Sequence, residues 1–60
     1  MITESTVIDW IKSLAHSQGM YGRLLEAYYD ATPEGRQCFI DGLNENGVKD
    51  MLDFVMFIES

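Results

Sequence analysis

Apolar residues recur at helical spacing along the whole chain, and they nowhere alternate with period two over a useful length. A strand buries every second side chain, whereas a helix buries positions three and four apart. The pattern therefore selects an all-α fold. Turn signals at Gly19, Thr32-Pro33 and Asn46-Gly47 then cut the chain into four short segments. We expect helices over about 4–17, 20–30, 33–44 and 48–59, packed as a compact bundle, with residues 1–60 forming a single helical domain.

The first segment is the most regular. Thr3 is placed to cap it and Glu4 lies in its first turn, where the helix dipole favours a carboxylate. Val7, Ile8, Trp10, Ile11, Leu14 and Ala15 share an arc of roughly 160°, opposite Asp9, Lys12, Ser13 and His16. Gly19 suits the left-handed position after the helix. The second segment, starting at Met20 or Tyr21, carries Tyr21, Leu24, Leu25, Tyr28 and Tyr29 on one side. Thr32-Pro33-Glu34 opens the third with a cap, a proline and an early carboxylate.

The third segment has a narrow stripe of Phe39, Ile40 and Leu43, and Gly35 and Gly42 each cost it about 1 kcal/mol relative to alanine. With Cys38 they form a strip of small residues suited to close approach by another helix. The fourth segment is the reverse case. Val48, Met51, Leu52, Phe54, Val55, Met56 and Ile58 cover roughly 200° of its wheel. Phe57 falls outside that arc, between Asp50 and Asp53, on the side that should face water. The expected core is Trp10, Ile11, Leu14, Leu24, Leu25, Tyr28, Phe39, Ile40, Leu43, Leu52, Val55 and Ile58.

A chain of 60 residues buries only about 60% of its unfolded surface. Cys38 is the single cysteine and His16 the single histidine, so neither an intramolecular disulfide nor a Cys/His zinc site is available. Stability must come from apolar packing, for which a hydrophobic content of 47% is ample, and a second copy of the chain would add to it. The net charge of −6 and the scattering of Lys12, Arg23, Arg36 and Lys49 count against direct nucleic-acid binding and against anionic membranes. The acidic N-terminus has no basic, then apolar, leader pattern, and no apolar run approaches the ~18 residues of a membrane span. With a free thiol, this points to a cytoplasmic protein.

Few residues invite chemistry. His16 has Lys12 and Asp9 one and two turns away, but no nucleophile beside it; a solvated histidine at a helix C-terminus is the simpler reading. Cys38 among small residues reads as a buried, inert thiol. The carboxylate pairs Glu26/Asp30 and Asp50/Asp53 lack the alternating oxygens of a calcium loop and read as solvated helix faces. The segment 17–23 could offer an anion the backbone amides of Gly19, Tyr21 and Gly22 with positive charge from His16 and Arg23. The competing reading is a tight corner, with Gly19 for the turn, Gly22 for close contact and Arg23 paired to Glu26. No catalytic residue, metal or cofactor is expected.

The strings SQG-x-YGRLL at Ser17–Leu25 and N-x-x-KD-x-LDFVMFIE at Asn46–Glu59 resemble short uncharacterised proteins of Gram-positive bacteria and their phages or mobile elements. The resemblance implies a compact intracellular accessory protein, phage-related in some members, and carries over no activity and no catalytic residue. The leading expectation is a non-catalytic protein-interaction module that forms a homodimer through its last helix. Phe57 and Met56 flanked by Asp50 and Asp53 would carry the contact, with Tyr29 at the edge. One alternative is an acidic decoy that inhibits a nucleic-acid-binding host protein. Another is a small-ligand or anion-binding module at the Gly19–Arg23 corner.

Overall fold

The computed structural model describes residues 1–19 and 21–59. It contains four helices, α1 (Glu4–Gln18), α2 (Gly22–Asp30), α3 (Pro33–Asn46) and α4 (Met51–Glu59), and the described residues form no strand. The all-α bundle expected from the periodicity is the fold.

The helix ends follow from the sequence signals. Thr3 accepts from the Thr6 amide and Thr32 from the Gly35 amide, each filling one of the orphan donors of a first turn. Gly19 (φ 72°) and Gly47 (φ 75°) take the positive φ that ends α1 and α3. Around Gly47, the amides of Gly47 and Val48 return to the carbonyls of Asn44 and Leu43. α3 therefore runs to Asn46, beyond the expected end near residue 44. α2 begins at Gly22 rather than at Met20 or Tyr21, and Met20 lies outside the described residues.

α4 departs most from expectation. It begins at Met51 and not at Val48, because Asp50 takes the capping position: its Oδ1 accepts from the Asp53 amide at 2.9 Å, while Asp53 Oδ2 accepts from the Lys49 amide at 3.2 Å. Its buried face is also rotated. Phe54 is fully buried, flanked by the half-buried Phe57 and Ile58, whereas Leu52, expected in the core, is 70% exposed. Phe57 is not on the wet side; its ring lies 6.0 Å from that of Phe39. A wheel apolar over roughly 200° does not define its own buried centre. The receiving surface does, and here it is aromatic.

That surface draws one ring from each helix. Phe54 packs on Trp10 of α1 at 5.3 Å and on Phe39 of α3 at 6.2 Å, and Phe39 meets Tyr28 of α2 at 6.3 Å. The tilted and edge-on geometries are those that aromatic quadrupoles favour. Val7, Ile11, Leu14, Ile40 and Leu43 complete the core with Ile2 and Tyr21; Ile2 lies outside the periodic segments, while Val7 and Tyr21, on the apolar faces of their helices, are absent from the expected core.

Ile2 is held from outside its own segment. Asn44 accepts from the Ile2 amide at 3.0 Å and donates to its carbonyl at 3.1 Å, pairing side-chain amide with backbone as a neighbouring strand would. The expected small-residue strip on α3 does not serve close packing. Cys38 is exposed, a Cβ at Gly42 would meet nothing within 4 Å, and one at Gly35 would meet only its own cap, Thr32 Oγ1 at 3.3 Å, and Ala31.

Candidate functional site

The residues that could carry function fall into three places. At the α1–α2 corner, Gly19 supplies the turn, Tyr21 is buried beneath it, and His16 and Arg23 are both exposed. A Cβ at Gly22 would meet nothing within 4 Å, so no close contact explains that glycine, and among the described residues Arg23 does not pair with Glu26. Tyr21 instead donates its hydroxyl to Glu59 Oε1 at 3.0 Å, tying the start of α2 to the end of α4. That hydrogen bond, burial and the Glu59 charge all push the Tyr21 hydroxyl above its ordinary pKa. The corner is thus a joint between helices.

The second place is the α2–α3 seam. Leu24, Ala27, Tyr28, Ala31, Gly35, Arg36 and Phe39 line an open cleft of about 210 Å³. Arg36 closes one end: its Nη1 donates to the carbonyls of Ala31 at 2.7 Å and Tyr29 at 3.4 Å, satisfying the C-terminus of α2. Its Nε lies 3.3 Å from Glu4 on α1. Tyr28 is buried, and its hydroxyl has no hydrogen-bond partner among the described residues. Desolvation and the Glu4 charge push its pKa up, with Arg36 opposing. Tyr29 is 52% exposed beside this seam.

The third place is the outer face of α4. Leu52 and Met56 stand one turn apart, roughly 160° around the helix from Phe54, and are 70% and 65% exposed. Met51, 40% exposed, lies about 100° from Leu52 on the side toward Phe54 and stands off this ridge. Met56 also borders a shallow cleft with Val48, Lys49, Asp53 and Phe57. Asp50 and Asp53, expected beside the contact, hold the first turn of the helix. Sequence spacing did identify α4 as carrying more apolar surface than one core needs. It assigned the surplus to Phe57 with Met56 at the margin; Met56 is exposed, but its exposed neighbour is Leu52, and Phe57 is half-buried against Phe39.

Among the described residues, no group of three or more His, Cys, Asp or Glu side chains is arranged to hold a metal ion and no helix is long and apolar enough to cross a membrane. Searches of protein families, characterised proteins and solved structures find no significant match to this chain. The architecture defines it as a small all-α bundle. The resemblance of Ser17–Leu25 and Asn46–Glu59 to short bacterial and phage proteins stays an expectation.

Proposed function

We propose that the protein is a non-catalytic protein-interaction module of the cytoplasm that self-associates through α4. The observation that carries this reading is the ridge of Leu52 and Met56, two large apolar side chains turned away from the core and exposed by 70% and 65% on a nine-residue helix. An exposed leucine alone is ordinary; an apolar pair in register on a helix already anchored by Phe54 is the pattern of a helix with two partners. The small domain also favours association, because a second copy adds apolar burial to a core that 60 residues keep small. An exposed thiol at Cys38 suits a reducing compartment, and the charge of −6 suits a protein partner over a nucleic acid.

Sedimentation equilibrium at micromolar to hundred-micromolar concentration tests this. Wild type should exceed the monomer mass, and Leu52→Gln with Met56→Gln should return it to monomer with unchanged far-UV circular dichroism, since glutamine matches their helix propensity. A monomeric wild type across that range would end the proposal. Phe57 is not a suitable probe, because its ring packs on Phe39.

A further inference from the structure

The turn that ends α3 holds a reactive pair. Asn46 is the last residue of the helix and Gly47 follows it, and both are exposed. The main-chain nitrogen after an asparagine can close a five-membered ring on that side chain's Cγ. Glycine in the following position removes the Cβ that would crowd the closure. Here the Gly47 amide is loosely held: it is shared between the carbonyls of Leu43 and Asn44, the latter at 3.4 Å, beyond the usual range of about 2.7–3.2 Å. One restraint opposes the reaction. Asn46 Nδ2 donates to the Gly42 carbonyl at 2.7 Å, which turns the side chain back along α3. Ring closure therefore waits on opening of the last helical turn, where helices fray most readily.

The chemically similar positions of α3 are held more firmly. Asn44, the chain's only other asparagine, precedes Glu45 and not a glycine. Its Oδ1 accepts from the Ile2 amide, and its Nδ2 donates to the carbonyls of Ile2 and Ile40. Asp41-Gly42 lies inside the helix, and Asp41 accepts from Gln37 at 2.8 Å.

We propose that Asn46 is a site of spontaneous modification, converted through a cyclic imide to aspartate and isoaspartate, and that the isoaspartyl form loosens the α3–α4 turn. Hydroxide or a buffer base removes the Gly47 amide proton, and the nitrogen attacks Asn46 Cγ. The N–Cγ bond forms, the Cγ–Nδ2 bond breaks, and Nδ2 leaves as ammonia after taking a proton from the conjugate acid. Water then opens the ring. Cleavage at Cγ gives aspartate, and cleavage at the main-chain carbonyl gives isoaspartate. The main-chain carbonyl is the more electrophilic, because it adjoins the Cα that bears an amide nitrogen, so isoaspartate is the larger product. One water is consumed and one ammonia released. Both products place a carboxylate at the C-terminal end of α3, where the helix dipole disfavours it, and neither can donate to Gly42. In isoaspartate the main chain also runs through Cβ and Cγ and is one methylene longer. The Gly47 and Val48 amides then lose the spacing that returns them to the carbonyls of Asn44 and Leu43. Val48 packs on the core just ahead of α4, so the disturbance falls where α4 is tied in, whatever its outer face meets.

The test is incubation of the folded protein in neutral and in mildly alkaline buffer. Peptide mapping by mass spectrometry follows, with chromatographic separation of isoaspartyl from aspartyl peptides. Wild type should gain the mass difference of hydroxyl for amide at residue 46 and not at residue 44, with isoaspartate in excess. Conversion should be faster in the alkaline buffer, because the Gly47 amide must lose its proton. Asn46→Gln keeps a side-chain donor but needs a larger ring, and should lose the conversion with unchanged circular dichroism. The converted protein, separated from unreacted chains by its added charge, should melt below wild type. It should also melt below Asn46→Asp, which carries the charge without the added methylene. An Asn46 as inert as Asn44, or isoaspartate arising first at residue 41, overturns the site. A converted protein that melts together with Asn46→Asp overturns the loosening of the turn.

Discussion

Two tyrosines of α2 show how differently one side chain can be used. Tyr21 donates to Glu59, and its pKa lies above the ordinary 10.0 because its neutral form makes that bond and its ionised form would face a carboxylate. A raised pKa in the folded state means the fold holds its proton more tightly than the unfolded chain does. The stabilisation is complete below pH 10.0 and is lost as pH rises through the folded-state value. Urea midpoints measured from pH 8 to pH 11 should therefore fall at the alkaline end, and Tyr21→Phe should show a shallower fall from a lower starting point. A parallel pH dependence in the two proteins would mean that Glu59 does not hold this hydroxyl.

Tyr28 is the opposite case, because its hydroxyl is buried without a partner among the described residues. Removing an unsatisfied buried group relieves a desolvation cost of about 1–3 kcal/mol. Tyr28→Phe keeps the ring against Phe39. It should leave the m-value unchanged and raise the urea midpoint. A loss of stability would show that the hydroxyl has a partner after all.

At the scale of elements, α1 was the most legible, because capping residue, terminal glycine and a one-sided apolar stripe all agree. α4 was the least legible, for a physical reason. Its apolar arc exceeds what one face can bury, so many rotations satisfy the periodicity, and the choice falls to the rings of Trp10 and Phe39, distant in sequence. On that account Leu52, expected in the core, is exposed, and Phe54, left out of the expected core, is the buried centre of the helix. The Asn44–Ile2 clamp was invisible for a related reason: no local pattern announces a contact across 42 positions. Arg36, which ties α2 and α3 to Glu4, left no signal beyond its placement in the first turn of α3.

α3 supplies a prediction at this scale. Gly42 lies in the helix interior, its φ is not positive, and a Cβ there meets nothing within 4 Å. The residue thus carries the entropic cost of glycine without a packing return. Gly42→Ala should stabilise the protein by about 0.5–1 kcal/mol, seen as a higher denaturation midpoint with unchanged helicity. Gly47→Ala should do the reverse, since its φ of 75° strains any L side chain.

For the whole molecule, the consequence is a division of labour on one short helix. Phe54 holds α4 to the other three helices, and Leu52 and Met56 are left to meet something else. A domain of this size has on the order of 3–9 kcal/mol of stability at 0.05–0.15 kcal/mol per residue. Phe54→Ala, at a cost of about 3–5 kcal/mol, should remove a third of that or more, seen as a lower thermal and urea midpoint of the helical circular dichroism. Leu52→Ala removes as apolar a side chain from the same helix, yet should leave the monomer folded, because that side chain is already in water. Association makes the difference measurable without any partner being known. A self-associating wild type gains stability by mass action, so its thermal midpoint should climb as protein concentration rises. In Leu52→Ala that climb should flatten while the dilute-limit midpoint stays near wild type. If Leu52→Ala instead lowers the midpoint equally at every concentration, Leu52 is serving the core, and the outer face of α4 has no second partner to explain.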